Sequence, residues 1–253
     1  FSRIISLYGA HTENLFALGG GDGLIGVAPG EDYPPEALRK PVFSYHDDPE
    51  KFLAARPDLV LTRPMIDRGY PQFVQRLEKS GITVVSLQPG TVEEMLVYWQ
   101  ILGILTGRRE KAAVMTDRFT AAVSELAALT ASVSPKKRVY FEAIHAKMKT
   151  FAPDSMAVFA LEAAGGVNVA RDAAPVRDTN IANYGKERIL ARASEIDVFL
   201  AQSGTMNQPT LELIKAESGF QAIRAVKTHH VYIIDERLVS RPTLRLLDGI
   251  FQI

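Results

Sequence analysis

Five histidines hold most of the metal and proton chemistry open to this chain, since neutral imidazole binds transition metals and titrates near neutrality. Cysteine is absent, which removes disulfides, thiolate ligands and thiol nucleophiles. His11, His46 and His145 each follow a short apolar run that reads as a buried strand. His229 and His230 come before one. In an open parallel sheet, ligands meet the chain beyond the carboxyl ends of strands, so the first three are candidate ligand residues. No pair has His-x-x-x-His spacing, so a preformed metal site is a weak signal. Each of the three reads at least as well as a lone cleft or capping side chain. Arg63 and Arg241 lie past strand ends, where their planar forks suit a carboxylate or phosphate. Arg68 reads as solvated surface. Tyr45 and Met65 also sit just past strand ends and Tyr184 closes a polar loop; Tyr8, Lys147, Met148, Ser203 and Met206 hold similar strand-end places.

Catalytic templates fail. Gln202-Ser203-Gly204 lacks the first glycine of a nucleophile elbow. Gly19-Gly20-Gly21-Asp22-Gly23 follows a helix rather than a strand, so it reads as a turn and not as a dinucleotide loop. No catalytic residue, resident metal or cofactor is expected.

The elements that position these residues alternate between strand and helix. Arg3–Tyr8, Leu24–Ala28, Val42–Tyr45, Asp58–Thr62 and Ile82–Leu87 are apolar runs of strand length. Between them, Thr12 opens a helix that ends before Gly19. Asp48 caps another, with Pro49 in its first turn and Pro57 beyond its end. Thr91 and Glu94 form a capping-box pattern opening a helix over Val92–Leu105. Helices between successive strands imply a parallel sheet. The plan then restarts, with strands at Arg138–Glu142, Val167–Ala170, Ile196–Ala201 and His230–Asp235.

Between the two copies lies Arg108–Ala131. Ala112, Met115, Phe119, Ala122, Val123, Leu126 and Leu129 make a one-sided stripe of helical period, uninterrupted by Gly or Pro. At 1.5 Å per residue such a helix spans about 36 Å. The halves also share residues. Glu50-Lys51-Phe52-Leu53-Ala54 matches Glu187-Arg188-Ile189-Leu190-Ala191 in type, and Ala17-Leu18-Gly19-Gly20 matches Ala163-Ala164-Gly165-Gly166. This repeat predicts an α/β fold of two Rossmann-like lobes with parallel sheets joined by a single long bridging helix: an N-terminal lobe over 1–107, the helix over 108–133 and a C-terminal lobe over 134–253. A length of 253 residues suits two such units. Lys plus Arg equals Asp plus Glu at 29 each, so nothing points to nucleic acid. No apolar run is long enough to span a membrane, and no secretory signal is visible before the first strand.

RIISLYGAHTENLFALG, DYPPEA, PEKFLAARPDLVL, ITVVSL, AAGGVNVA and AVKTHHVYIIDERLVSRPTLRLLDG, in this order, resemble the class III substrate-binding proteins of ABC importers, which serve cobalamin, haem and ferric-siderophore uptake. The resemblance covers essentially the whole chain. It implies two lobes bridged by a rigid helix, with a ligand in the cleft that His11, Tyr45, His46, Arg63, Met65, His145, Tyr184 and Arg241 would line. It further implies that Glu50 and Glu187 dock against arginines of the permease; a first helical turn is where a carboxylate is favoured in any case. Arg63 and Ile181 stand about where tryptophans of the cobalamin binders would be, so the cleft reads as more polar, suited to an anionic chelate, a haem-like ligand or an oxyanion.

The resulting expectation is a periplasmic or lipid-anchored extracellular receptor, not an enzyme. It would work as a monomer, deliver a metal chelate (ferric siderophore, haem or corrinoid) to an ABC permease, and meet the membrane only through that permease or an anchor. One alternative is a receptor for a small oxyanion such as molybdate. Another is a metal-binding enzyme or metallochaperone using the three cleft histidines.

Overall fold

A computed structural model describes the chain except for Asp178 and Met206. The expectation that Met206 lies just past a strand end therefore falls outside the described residues. The chain divides into two compact units, Phe1–Pro89 with Glu93–Arg118, and Gly90–Val92 with Phe119–Ile253.

In the first unit the order is β1 (Ile4–Ser6), α1 (Gly9–Ala17), β2 (Leu24–Gly26), α2 (Pro49–Ala55), β3 (Leu59–Thr62), α3 (Pro64–Gly69), α4 (Pro71–Lys79), β4 (Thr83–Ser86) and α5 (Val92–Leu105). The sheet runs β2-β1-β3-β4 with every pair parallel. All four residues of β3 are buried, as a strand covered by helices on both faces requires. Expected strand Val42–Tyr45 shrinks to an isolated bridge, Val27 to Val42. One core packs Ile5, Phe43, Phe52, Val60, Phe73 and Leu77 together. The Asp48 carboxylate accepts the Glu50 N–H at 2.9 Å and Pro49 fills the first turn of α2, as its sequence predicts. Arg56 then turns left-handed at φ 48° and ends that helix before Pro57.

The helix α6 (Arg109–Thr130) covers the stripe Ala112–Leu129 and stops three residues short of the expected 133; it belongs to the first unit through Arg118 and to the second from Phe119.

The second unit continues with β5 (Arg138–Ile144), β6 (Lys149–Phe151), α7 (Met156–Ala163), β7 (Val167–Asn168), β8 (Ala174–Pro175), β9 (Ile181–Asn183), α8 (Lys186–Ala191), β10 (Val198–Ser203), α9 (Leu211–Ala216), α10 (Arg224–Lys227), β11 (Val231–Asp235), α11 (Glu236–Val239) and α12 (Leu246–Gln252). Its sheet order is β11-β10-β5-β6-β9-β8, with β7 also on β5. The pairs of β10 with β11, β10 with β5 and β5 with β7 are parallel. The parallel sheet expected of this half is present, and it is extended on one side. β6, β9 and β8 add an antiparallel wing, built from segments that read as polar loop because three residues or fewer leave no periodicity to detect. Alternation along β5 sorts its side chains by face. Val139, Phe141 and Ala143 enter one core and Tyr140 the other.

One clamp is used twice. Asp58 accepts the backbone N–H of Ser2 at 2.8 Å and of Arg3 at 2.9 Å. Asp197 accepts the N–H of Arg138 at 3.0 Å. Each ties the start of the unit's first strand to the start of a neighbouring parallel strand, β3 or β10, as a repeated plan demands.

Candidate functional site

In the first unit Tyr45 and His46, after the Val27–Val42 bridge, and Tyr70, between α3 and α4, form an aromatic group. The rings of Tyr45 and His46 lie 4.3 Å apart between centroids, Tyr45 and Tyr70 4.8 Å, and His46 and Tyr70 5.1 Å edge to face. His46 is exposed, while Tyr45 and Tyr70 are half-buried. Arg63, at the end of β3, holds its guanidinium 5.1 Å from the Tyr8 ring centre, a cation–π distance. Met65 is half-buried on the same core as Tyr45 and Tyr70. Aromatic faces suit a flat, conjugated molecule, and a guanidinium such as that of Arg63 suits an anionic group.

His11 is not part of that surface. Its ring is fully buried, with Nδ1 2.6 Å from the Tyr98 hydroxyl and Nε2 2.8 Å from the Thr62 carbonyl. A neutral imidazole has one donor and one acceptor, and both are used: Nε2–H donates to Thr62, and Tyr98 donates to Nδ1. Burial pushes the pKa of His11 down to about 4, against the bond to Thr62 and with help from nearby Arg63. The expected ligand role of His11 is therefore corrected to an internal brace between α1, β3 and α5.

In the second unit His145 is the first residue after β5 and is 5% exposed. Both carboxylate oxygens of Glu142, itself 0% exposed, lie 3.0 Å from Nδ1 of His145. Burial pushes the Glu142 carboxyl up, and the carboxylate in turn raises the imidazole. Nε2 of His145 is buried and has no hydrogen-bond partner among the described residues. The His145 amide donates to Asn207 Oδ1 at 3.0 Å, and Asn207 Nδ2 donates to the Gln202 carbonyl at 2.7 Å, so β10 holds the turn in place.

Tyr184 also needs correction. It is 6% exposed and belongs to the core, its ring 5.7 Å from Tyr140 on one side and the Arg188 guanidinium 4.4 Å from it on another. Arg241 is half-buried in the turn after α11. Glu50 and Glu187 are exposed, each in the first turn of its helix, α2 and α8. Glu50 Oε1 already meets Arg76 Nη2 at 2.6 Å.

Tyr70 and Glu142 were not singled out by sequence reasoning. The signal for Glu142 was present, since it is the one acid inside the apolar run Val139–Ile144. Tyr70, between Gly69 and Pro71, carried none.

Each of the two open α/β sheets presents polar and aromatic side chains past its strand ends, which is where proteins of this architecture bind a solute. Among the described residues no three His, Asp or Glu side chains are grouped to hold a metal ion, so the three-histidine metal site is not assembled. The chain belongs to the periplasmic binding protein family, whose model matches residues 4–238. It is 26% identical over 254 residues to the vitamin B12-binding protein of Vibrio cholerae serotype O1, covering 99% of this chain and 87% of that one. To the uncharacterized ABC transporter substrate-binding lipoprotein YvrC of Bacillus subtilis it is 26% identical, covering 98% of this chain and 77% of that one. Among solved structures, one described as a possible iron-binding (periplasmic solute-binding) protein from Staphylococcus epidermidis aligns with a TM-score of 0.86 at 26% identity, over 99% of this chain and 96% of the other. None of these three is named for an oxyanion or for catalysis. No helix among the described residues is long and apolar enough to cross a membrane.

Proposed function

We propose that this chain is the receptor of an ABC importer for a planar metal chelate; the contact residues are Tyr45, His46, Tyr70 and Arg63 in the first unit and, considered by itself, His145 in the second. The observation that carries this reading is the Tyr45–His46–Tyr70 ring group; Arg63, just past the end of β3, adds a cation held against Tyr8. A small oxyanion has no use for aromatic faces, and the buried His145 offers a nitrogen donor to a metal rather than a fork to an oxyanion. Relatives named for vitamin B12 and for iron support a metal-bearing solute. Met65 and Arg241 border the contact residues. Glu50 and Glu187 dock on the permease, as exposed acids at matching places in the repeat. The receptor works as a monomer in the periplasm or on a lipid anchor, with the lipoprotein YvrC as precedent for the latter.

The test is a titration of purified protein with haemin, cyanocobalamin, ferrioxamine and molybdate, read by absorbance and by quenching of Trp99 fluorescence. Micromolar or tighter binding of a tetrapyrrole, with none of molybdate, is the expected result. Binding of molybdate alone would replace this reading with the oxyanion one.

A further inference from the structure

A fully buried carboxylate costs several kcal/mol, roughly, unless it is paired, so Glu142 needs a reason to stand in β5. Its neighbour supplies one. Both oxygens of Glu142 lie 3.0 Å from Nδ1 of His145. A carboxylate only accepts, so Nδ1 carries the proton of that bond. The other nitrogen, Nε2, faces no acceptor among the described residues. With its one proton on Nδ1, the neutral ring keeps a lone pair at Nε2, and a second proton there would add a buried, unpaired N–H and a buried charge. The ring is fixed as well as protonated in one sense: Asn207 accepts its backbone N–H, and Phe220 stands edge-on at 6.3 Å between ring centres. Imidazole held this way by a carboxylate is the arrangement that orients histidines toward metals and strengthens their donor nitrogen.

We infer that Glu142 is a positioning residue that fixes His145 with Nε2 as a free donor, and that the solute's metal must offer an exchangeable coordination position to receive it. This rests on the receptor reading above and narrows it. A ferric tetrapyrrole has such positions along its axis. A ferric trihydroxamate has none, since six oxygens already surround the iron. Nε2 is covered in this structure, so the metal reaches it only when the short turn His145–Lys147 yields. The groups set toward His145 are Glu142 on β5 and, further off, Glu217 after α9, which is itself paired with Lys186 of α8 at 2.6 Å.

Haemin and ferrioxamine are titrated into the full chain and into Glu142→Gln, Glu142→Asp and His145→Ala, with Soret absorbance and electron paramagnetic resonance of the iron as readouts. The wild type should give a histidine-ligated ferric spectrum and prefer haemin. Glu142→Gln, which can present a donor to Nδ1 and so move the proton to Nε2, should shift the Soret band and weaken haemin by roughly 10–100-fold. Glu142→Asp should restore part of both. His145→Ala should lose the histidine signature and regain it when free imidazole is added. Melting curves check that each variant is folded; if Glu142→Gln is not, Glu142→Asp carries the comparison, and an unaltered haemin spectrum and affinity there refute the role. An unchanged spectrum in His145→Ala, wild-type behaviour of Glu142→Gln, or a preference for ferrioxamine would overturn the inference and leave the receptor standing. Failure of the wild type to bind any metal chelate would remove both.

Discussion

The hydroxyl of Tyr98 lies 2.6 Å from Nδ1 of His11, and together with the Thr62 carbonyl it locks that ring in the neutral form inside the first unit. With a folded pKa of about 4 against an ordinary 6.5, the unfolded chain binds the extra proton between those values. Stability from this group is therefore full above pH 6.5 and declines as the pH falls toward 4. The difference between pH 7.5 and pH 4.5 is roughly 2–3 kcal/mol. Urea unfolding at the two pH values should show that loss in the wild type, beyond whatever other groups contribute, and should not show it in His11→Gln. Equal pH slopes in both proteins would mean that His11 is solvated.

Tyr70 and Tyr184 separate binding from folding. Tyr70 packs edge and face against two aromatic side chains at the outer end of its unit, and aromatic pairs contribute about 0.5–1.5 kcal/mol each. Tyr70→Ala should weaken haemin about tenfold with a small change in melting temperature. Tyr184 lies in the core, and Tyr184→Ala should cost about 3 kcal/mol of stability in denaturant titrations while the residual folded protein keeps its haemin affinity. The reverse pattern would return Tyr184 to the ligand surface.

Glu50 and Glu187 are tested through transport. Reversing both to Lys should abolish uptake in cells carrying the importer, because like charges set against each other across an interface cost several kcal/mol, roughly. Haemin affinity of the purified double variant should stay within a few-fold, roughly the effect of a distant surface change. A loss of affinity would place these acids at the ligand instead. The ion pair of Glu50 with Arg76 is exposed on both sides and contributes about 0–1 kcal/mol, so Arg76→Ala alone should leave the fold unaffected.

Asp58 anchors the first strand through two amides and the Ser2 hydroxyl. Burial works to raise its carboxyl, but the amides of Ser2 and Arg3 outweigh it and hold the group below the usual range. Asp58→Ala hands those exposed N–H groups to water and should cost about 0.5–1.5 kcal/mol, visible as a lower melting temperature. The contribution of Asp58 is present at neutral pH and is lost as acid protonates it, so below its pKa the wild type and Asp58→Ala should converge. Divergence at low pH would assign the effect to packing.

What lay within reach of the sequence was local. Asp48 and Pro49 start a helix because a cap and a fixed φ act over four residues, and the stripe from Ala112 to Leu129 marks α6 because periodicity repeats every turn. The apolar runs of β1, β3 and β10 announce strands covered on both faces, and the matched acids Glu50 and Glu187 disclose the repeat. The family resemblance rests on the same short-range patterns. Which side chains meet was decided by tertiary structure alone. His11 and His46 follow strand ends equally well in the sequence, yet Tyr98, 87 residues further on, closes over the first and nothing comparable covers the second. Glu142 and His145 lie three residues apart, but only the turn after β5, held by Asn207 from beyond β10, brings Nδ1 onto both carboxylate oxygens and leaves Nε2 without a partner among the described residues. The antiparallel wing of β6, β9 and β8 is of the same kind, since strands this short exist only through the partner that pairs with them. Burial, tautomer and pairing are properties of what a residue touches, and contacts across tens of residues leave no period or cap for a single sequence to display.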